Sequence, residues 1–302
     1  MLRLYPIGLR TPLAIMLFVG CVNETIANNQ DTLLSRVRQL TFEGRRSGEG
    51  YYNSDGSKLI FQSEREAGNP FYQIYTIDFK TGDTVRVSPG FGKTTCAFFH
   101  PSGQSVLFAS THHDLRAKAK QKAELEFRAT GKQRRYSWDY DETMDIFTAD
   151  NNGGNLRQLT TAKGYDAEAG FSPNGKKIVF SSTRSAYVNN LTEEEKKLRD
   201  IDLSYFGEIY IMNANGSEQV RLTQSPGYDG GPFFSPNGQR IVWRRFNKSG
   251  SVAEIHTMKL DGSDVRKITS FKSMSWAPYF HCLLYTSPSP RDATLSRMPS
   301  SA

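Results

Sequence analysis

From Tyr51 to Lys267 the chain alternates short apolar runs with polar dipeptides that end in glycine. The runs are rich in Ile, Val, Phe and Tyr. Apolar residues at every second position, many of them β-branched or aromatic, predict strands rather than helices. Four segments align: "YYNSDGSKLIFQSER" from Tyr51, "FFHPSGQSVLFASTH" from Phe98, "GFSPNGKKIVFSSTR" from Gly170 and "FFSPNGQRIVWRRFN" from Phe233. Interleaved with them is a second unit: "QIYTIDFKTGDTVRVS", "DIFTADNNGGNLRQLT", "EIYIMNANGSEQVRLT" and "EIHTMKLDGSDVRKIT". Each unit reads strand, x-Gly turn, strand. Two-residue x-Gly connections predict hairpins, because residues with positive φ match the twist of the flanking strands. The turn glycines fall at Gly56, Gly82, Gly103, Gly154, Gly175, Gly216, Gly238 and Gly262, so eight turns join sixteen strands.

The spacing adds topology. From the second turn of one unit to the first turn of the next the steps are 21, 21 and 22 residues; between the two turns of one unit they are 26, 51, 41 and 24. All length variation therefore sits between second and third strands, which places two insertions, 112–140 and 185–206, on one face of a repeat architecture. Four-stranded antiparallel units repeated around an axis form a β-propeller. The fold class expected is all-β, an arc of four blades with the start of a fifth.

Over nearly all of Arg36 to His281 the motifs resemble the TolB-type propellers, whose repeats read F-S-P-D-G, I-Y, D-G and R-L-T. The similarity is plainest in "GFSPNGKKIVFSSTR" and "GEIYIMNANGSEQVRLT", with Asn174 and Asn237 where the family often carries Asp. The resemblance implies a ring of six blades and a non-enzymatic interaction module with a protein or envelope partner. Similar propellers also precede the catalytic domains of prolyl-oligopeptidase-type serine peptidases and of some metallopeptidases, which gives a competing expectation: a substrate-gating propeller. A polysaccharide lyase with a metal at the propeller mouth is a third, resting on the His112–His113 pair alone.

The ends carry separate signals. Residues 1–21 run from basic positions through the apolar core Leu13 to Val19 to "FVGC", too short to span a bilayer and suited to export. That ending resembles a bacterial lipobox, which implies lipidation at Cys21; cleavage after Ala27 is the alternative. Val22 implies an outer-membrane rather than an inner-membrane address, so the expected place is the periplasm, held to the membrane only by a lipid anchor. Residues 22–35 read as a linker. "RVRQLT" from Arg36 matches the last strand of every unit and predicts a ring-closing strand. The regular spacing demands another turn glycine at 283 or 284, yet Leu283 and Leu284 stand there; residues 282–302 resemble translated sequencing adapter and fall outside the propeller, 36–281.

The formal charge is +7. Arg3 and Arg10 supply two of these charges and the balance of Arg291, Asp292 and Arg297 one more, which leaves +4 for the body. A nucleic-acid footprint would need those charges clustered with aromatics on one face, and no nucleic-acid partner is expected. Three cysteines, Cys21, Cys96 and Cys282, build neither a disulfide framework nor a metal site. Nothing in the sequence nominates a nucleophile, a cofactor or a phosphate loop.

Candidate binding residues lie on the insertion face. Ser47, Thr94, Asp166, Asp229 and Ser275 stand five before the first-strand aromatic position, and Arg65, His112, Arg184 and Asn247 nine after the first-turn glycine. They suggest either a polar ring around a channel mouth or pairs, such as Asp166 with Arg184, that pin each blade's own loops. In the first insertion a helix is expected from Leu115 to Phe127, followed by Arg134, Arg135, Tyr136, Trp138 and Tyr140. This is either a recognition patch or a lid strand over the blade below. In the second, Thr192 and Glu195 form a capping-box pattern that opens a short helix.

Overall fold

A computed structural model describes residues 37–133, 138–225 and 227–280. The chain divides into two units, Met1–Phe42 and Glu43–Ala302. In the first, the described residues 37–42 form no strand; the ring-closing strand expected of "RVRQLT" requires partners other than these four sheets. An outermost strand forms only on the third strand of its own sheet, and each of the four sheets already has its fourth. The expected signal segment, Cys21, the 22–35 linker and the 282–302 tail lie outside the described residues.

The second unit holds four antiparallel sheets, each with its strands in sequence order. Sheet one comprises β1 (Arg46–Tyr52), β2 (Lys58–Glu64), β3 (Gln73–Asp78) and β4 (Thr84–Arg86). Sheet two comprises β5 (Thr94–Phe99), β6 (Ser105–Ser110), β7 (Asp145–Asp150) and β8 (Arg157–Gln158). Sheet three comprises β9 (Asp166–Phe171), β10 (Lys177–Ser182), β11 (Glu208–Asn213) and β12 (Val220–Arg221). Sheet four comprises β13 (Asp229–Phe234), β14 (Arg240–Phe246), β15 (Ala253–Lys259) and β16 (Arg266–Lys267).

Period-2 alternation makes these sheets blades. On β6, Val106 and Phe108 pack toward sheet one with Ile60 and Ile74, whereas Leu107 packs toward sheet three with Ile178 and Phe180. Val179, between those two, faces sheet four with Ile241 and Trp243. A central strand buried on both faces thus gives alternate residues to two different apolar layers, the packing that a propeller requires.

The turns depart from the two-residue expectation. The first connection of each blade spans four residues: Asn53 and Lys58, His100 and Ser105, Ser172 and Lys177, and Ser235 and Arg240 close it through backbone bonds. One glycine with positive φ per turn suffices. Asn174 and Asn237 each accept the backbone N–H two residues on, which is what the Asp of the resembling motif would do. In the second blade the positive-φ turn residue is Gly153 rather than Gly154, so the steps to the next first turn become 21, 22 and 22. A Cβ on Gly153 would stand 2.6 Å from the Val87 carbonyl of the preceding blade, so that glycine serves both the turn and the approach of blade to blade.

The recurrent "R-L-T" ending also has a physical reason. Ser88, Thr160, Thr223 and Thr269 each accept a backbone N–H near the start of the third strand, from Ile74, Ile146, Ile209 and Ile255. Each hydroxyl then donates to the side chain of the residue just before that isoleucine: Gln73, Asp145, Glu208 or Glu254. This latch holds a two- or three-residue fourth strand in place. Both insertions lie between second and third strands as expected. The first carries α1 (Ala117–Ala129) and the second α2 (Glu193–Ile201) flanked by 3-10 turns Arg184–Tyr187 and Leu203–Phe206.

Candidate functional site

At the start of the first strands, the polar positions of the insertion-bearing rim meet within their own blade, except that Thr94 reaches the blade before it. Asp166 opposes Ser182, and Asp229 opposes Arg245, across their first hairpins. Asp166 is fully buried; it accepts from Ser182 and pairs with Arg184, whose Nη1 also donates to Gln219 at 2.6 Å. Burial outweighs the Arg184 charge and pushes the Asp166 carboxyl up to about 6. Asp229, also fully buried, takes Nε and Nη2 of Arg245 at 2.8 and 2.7 Å. In the first blade Arg65 bonds Ser63, which bonds Ser47. In the second, Thr94 donates to the Tyr72 carbonyl and His112 bonds Ser110. Asn247 serves its own loop, bonding Ser251. The rim positions are thus loop pins, with every described acid among them paired.

One recurrent feature escaped the sequence reading. Each innermost strand bulges at one position, where the backbone enters the left-handed region: Glu49, Cys96, Glu168 and Gly231, with φ of 41°, 53°, 53° and 61°. Ala277, with φ 47°, keeps the same place before Phe280. The signal was present: each stands three residues before the first-strand aromatic position and seven before the first-turn glycine, where that glycine exists. Non-glycine residues held in this region store strain and cluster at functional sites.

The bulges converge on the axis. Glu168 binds the backbone N–H of Gly231 and Nη2 of Arg244, and a Cβ on Gly231 would fall 2.1 Å from Arg244 Nη1, so glycine makes the room that the guanidinium fills. Glu49 accepts from the Tyr51 hydroxyl at 3.2 Å and the Cys96 thiol at 3.7 Å. It retains solvent contact, yet crowding by protein, and then the Glu168 carboxylate, hold its carboxyl above the usual range. Burial, then Glu49, pushes the Cys96 thiol well up, so it is not a reactive thiolate at neutral pH. The Tyr228 hydroxyl faces Glu168 without a hydrogen bond of ordinary geometry.

Above this axis runs a line of rings. Tyr140 meets Tyr165 and Tyr228 at 5.3 and 5.7 Å, Tyr228 meets Phe246 at 5.9 Å, and Phe246 meets Trp276 at 5.7 Å. Arg244 lies between the faces of Trp276 and Tyr228, at 4.2 and 5.3 Å. Trp138 donates its indole N–H to Tyr165 and stays 40% exposed; Trp276 is 55% exposed. Tyr140 covers the blades below as a lid residue, whereas Trp138 and Trp276 present ring area to solvent. Arg134 and Arg135 lie outside the described residues.

The first helix begins and ends two residues later than expected and is tied along its length. Lys120 bonds Asp114 and Asp141, Lys93 joins Asp141 from the preceding connection, and Arg128 reaches Glu64 of β2. Within this net Asp141 stays ionised, its carboxyl held well below the usual range by Lys120 and Lys93 against the cost of burial. His113 pairs with Asp145, Asp114 with Lys120, and His112 with Ser110, so the adjacent triplet does not converge on one point. Among the described residues no group of His, Cys, Asp and Glu is placed to hold a metal ion.

No family model matches the chain. A TolB homologue from Chlorobium chlorochromatii is 27% identical over 124 residues, which is 33% of this chain and 28% of that protein, so the match spans under a third of the relative's length. By fold, the structure of a putative TolB from Agrobacterium tumefaciens is similar with a TM-score of 0.50 at 16% identity, covering 74% of this chain and 67% of that one. TolB from Acinetobacter baumannii has the same TM-score at 19% identity, covering 78% and 46%. Repeat pattern and blade packing make the chain a β-propeller, and its fold is similar to those of the TolB structures.

Proposed function

We propose that this propeller is an interaction module of the cell envelope: exported, lipid-anchored at Cys21, and offering its insertion-bearing rim to a protein partner in the periplasm. The observation that carries the reading is the pair of exposed indoles, Trp138 and Trp276, set around a strained axial cluster on the rim that also bears both insertions. Large rigid rings at the centre of a rim contribute much of the affinity in protein interfaces. The buried acids of the same rim are occupied in holding loops, which gives the indoles a fixed platform. Acyl chains on Cys21 would contribute about 0.8 kcal/mol per buried methylene, and two or more chains anchor stably.

The test is photocrosslinking in cells from a probe placed at Trp138, at Trp276, or at Lys80 on the opposite rim. Adducts to one envelope protein from the two rim positions, and none from Lys80, are expected; equal adducts from all three would sink the reading. Fatty-acid labelling lost in Cys21→Ala tests the anchor. Recovering the gene past codon 281 tests the competing gate for a peptidase, which requires a Gly-x-Ser-x-Gly segment or a zinc motif downstream.

A further inference from the structure

The second insertion leaves space beneath it. One cavity of about 370 Å3 is bounded by Lys163, Arg184, Tyr187, Val188, Tyr210 and Arg221. A second, of about 510 Å3, lies under α2 and shares Ser185, Val188 and Arg221 with the first, so the two form one cleft. Both volumes fall in the range of small-molecule sites.

The lining of the smaller cavity selects a charge. Its three ionic residues, Lys163, Arg184 and Arg221, are all cations. The carboxylate partners of the two arginines lie behind them: Asp166 and Glu208 are 0% and 2% exposed and neither lines this cavity, although Glu208 and Glu195 line the adjoining one; Lys163 pairs with the partly exposed Glu142, also outside the cavity lining. The acids therefore aim the guanidinium groups and keep them from folding onto the protein elsewhere. Arg221 is held at Nε by the Thr223 carbonyl and at Nη2 by Glu208. Arg184 is fixed over the Tyr210 ring at 4.9 Å, and Lys163 lies over Tyr187 at 4.8 Å. Between these charges the walls are tyrosine rings, Val188 and Ala162.

The roof is suited to opening. None of the nine residues of α2 is buried, and Ile201 is 73% exposed. Its tertiary ion pair runs from Glu194 to Lys248 at 3.7 Å, between side chains 77% and 63% exposed, a pair worth little. The helix is instead stabilised from within by its capping box.

We infer that the cleft beneath α2 binds a small organic anion, a carboxylate on an apolar ring body of one or two rings, with the anion held by Arg221, Arg184 and Lys163, the rings lying against Tyr187 and Tyr210, and α2 as the lid. The test uses the full chain and three probes of one shape: 2-naphthoate, neutral 2-naphthylmethanol and 2-naphthylmethylammonium, followed by ligand-observed NMR. Naphthoate binding with a Kd on the order of 1 mM is expected for a probe of this size. The neutral compound should bind about tenfold more weakly and the ammonium compound less still. Lys163→Gln should weaken naphthoate about fivefold, and Val188→Trp, which fills the cavity at an exposed position, should abolish it. Circular dichroism and the melting temperature of both variants establish that each is folded. Equal binding of naphthoate and the ammonium compound, or unchanged binding to folded Val188→Trp, would overturn the inference.

Discussion

The two insertions occupy the same place in successive blades and are held in opposite ways. The first lays α1 across the rim and ties it with an ionic net, Lys93, Lys120 and Asp141 at its centre and Arg128–Glu64 at its end. The second is fixed at its root, where Arg184 meets buried Asp166, while α2 beyond it has no fully buried residue. An insertion becomes a brace when its charges find buried partners in the blades, and a lid when they find only exposed ones. Helix propensity does not separate the two.

Breaking the root has the largest effect. Arg184→Met leaves Asp166 buried and unpaired, and a loss of about 3 kcal/mol in urea unfolding at pH 8 is expected. The deficit should shrink toward pH 5, because an unpaired buried acid takes up a proton. Breaking the brace comes next. Asp141→Asn removes the carboxylate that Lys93 and Lys120 share, at a cost of about 2 kcal/mol, below the fully buried case because both lysines keep some solvent and retain Asp139 and Asp114.

The two acids also titrate with opposite sign. Asp141 is held below its unfolded value of about 3.9, so its contribution is present above that pH and is lost as pH falls toward the folded value. Asp166 is raised to about 6, so its contribution is full below about pH 4 and declines as pH rises through 6. Unfolding across pH should therefore show the gap between wild type and Asp141→Asn closing on the acid side. Asp166→Asn should instead gain on wild type from pH 4 to 7. A parallel pair of curves would refute the contrast.

The lid gives the smallest effect. Thr192→Ala removes the cap and should cost α2 about 1 kcal/mol, visible as faster amide exchange in 193–201, with the global unfolding midpoint unchanged. Limited proteolysis of the native chain should cut within 188–202 before it cuts within 117–129.

What the sequence disclosed follows from how local each determinant is. Strand alternation, turn glycines, insertion boundaries and the Thr192–Glu195 cap are written in short windows, and they recur, so the spacing alone located sixteen strands. The Asp166–Arg184 pairing was legible because both residues hold fixed offsets from repeat landmarks. The axial bulges were missed because Glu49, Cys96, Glu168 and Gly231 share a backbone conformation and no side-chain type; position, not chemistry, is what repeats. The brace was missed for another reason. Lys93 and Asp141 are far apart in the chain, and "HHDLRAKAKQKAELEF" and "NNLTEEEKKLRD" both read as charged helices until the fold decides which charges are buried. The turn length was misread because the glycine marks the positive-φ position and not the number of residues in the loop.

The serine and threonine latches bear on mechanics. Each closes inside one sheet, from Ser88 to Ile74 or from Thr223 to Ile209, and each apolar layer joins only adjacent sheets. Tension applied between Glu43 and Phe280 would therefore meet a row of similar clasps in series, so the chain should lengthen in discrete, nearly equal force steps, one sheet at a time.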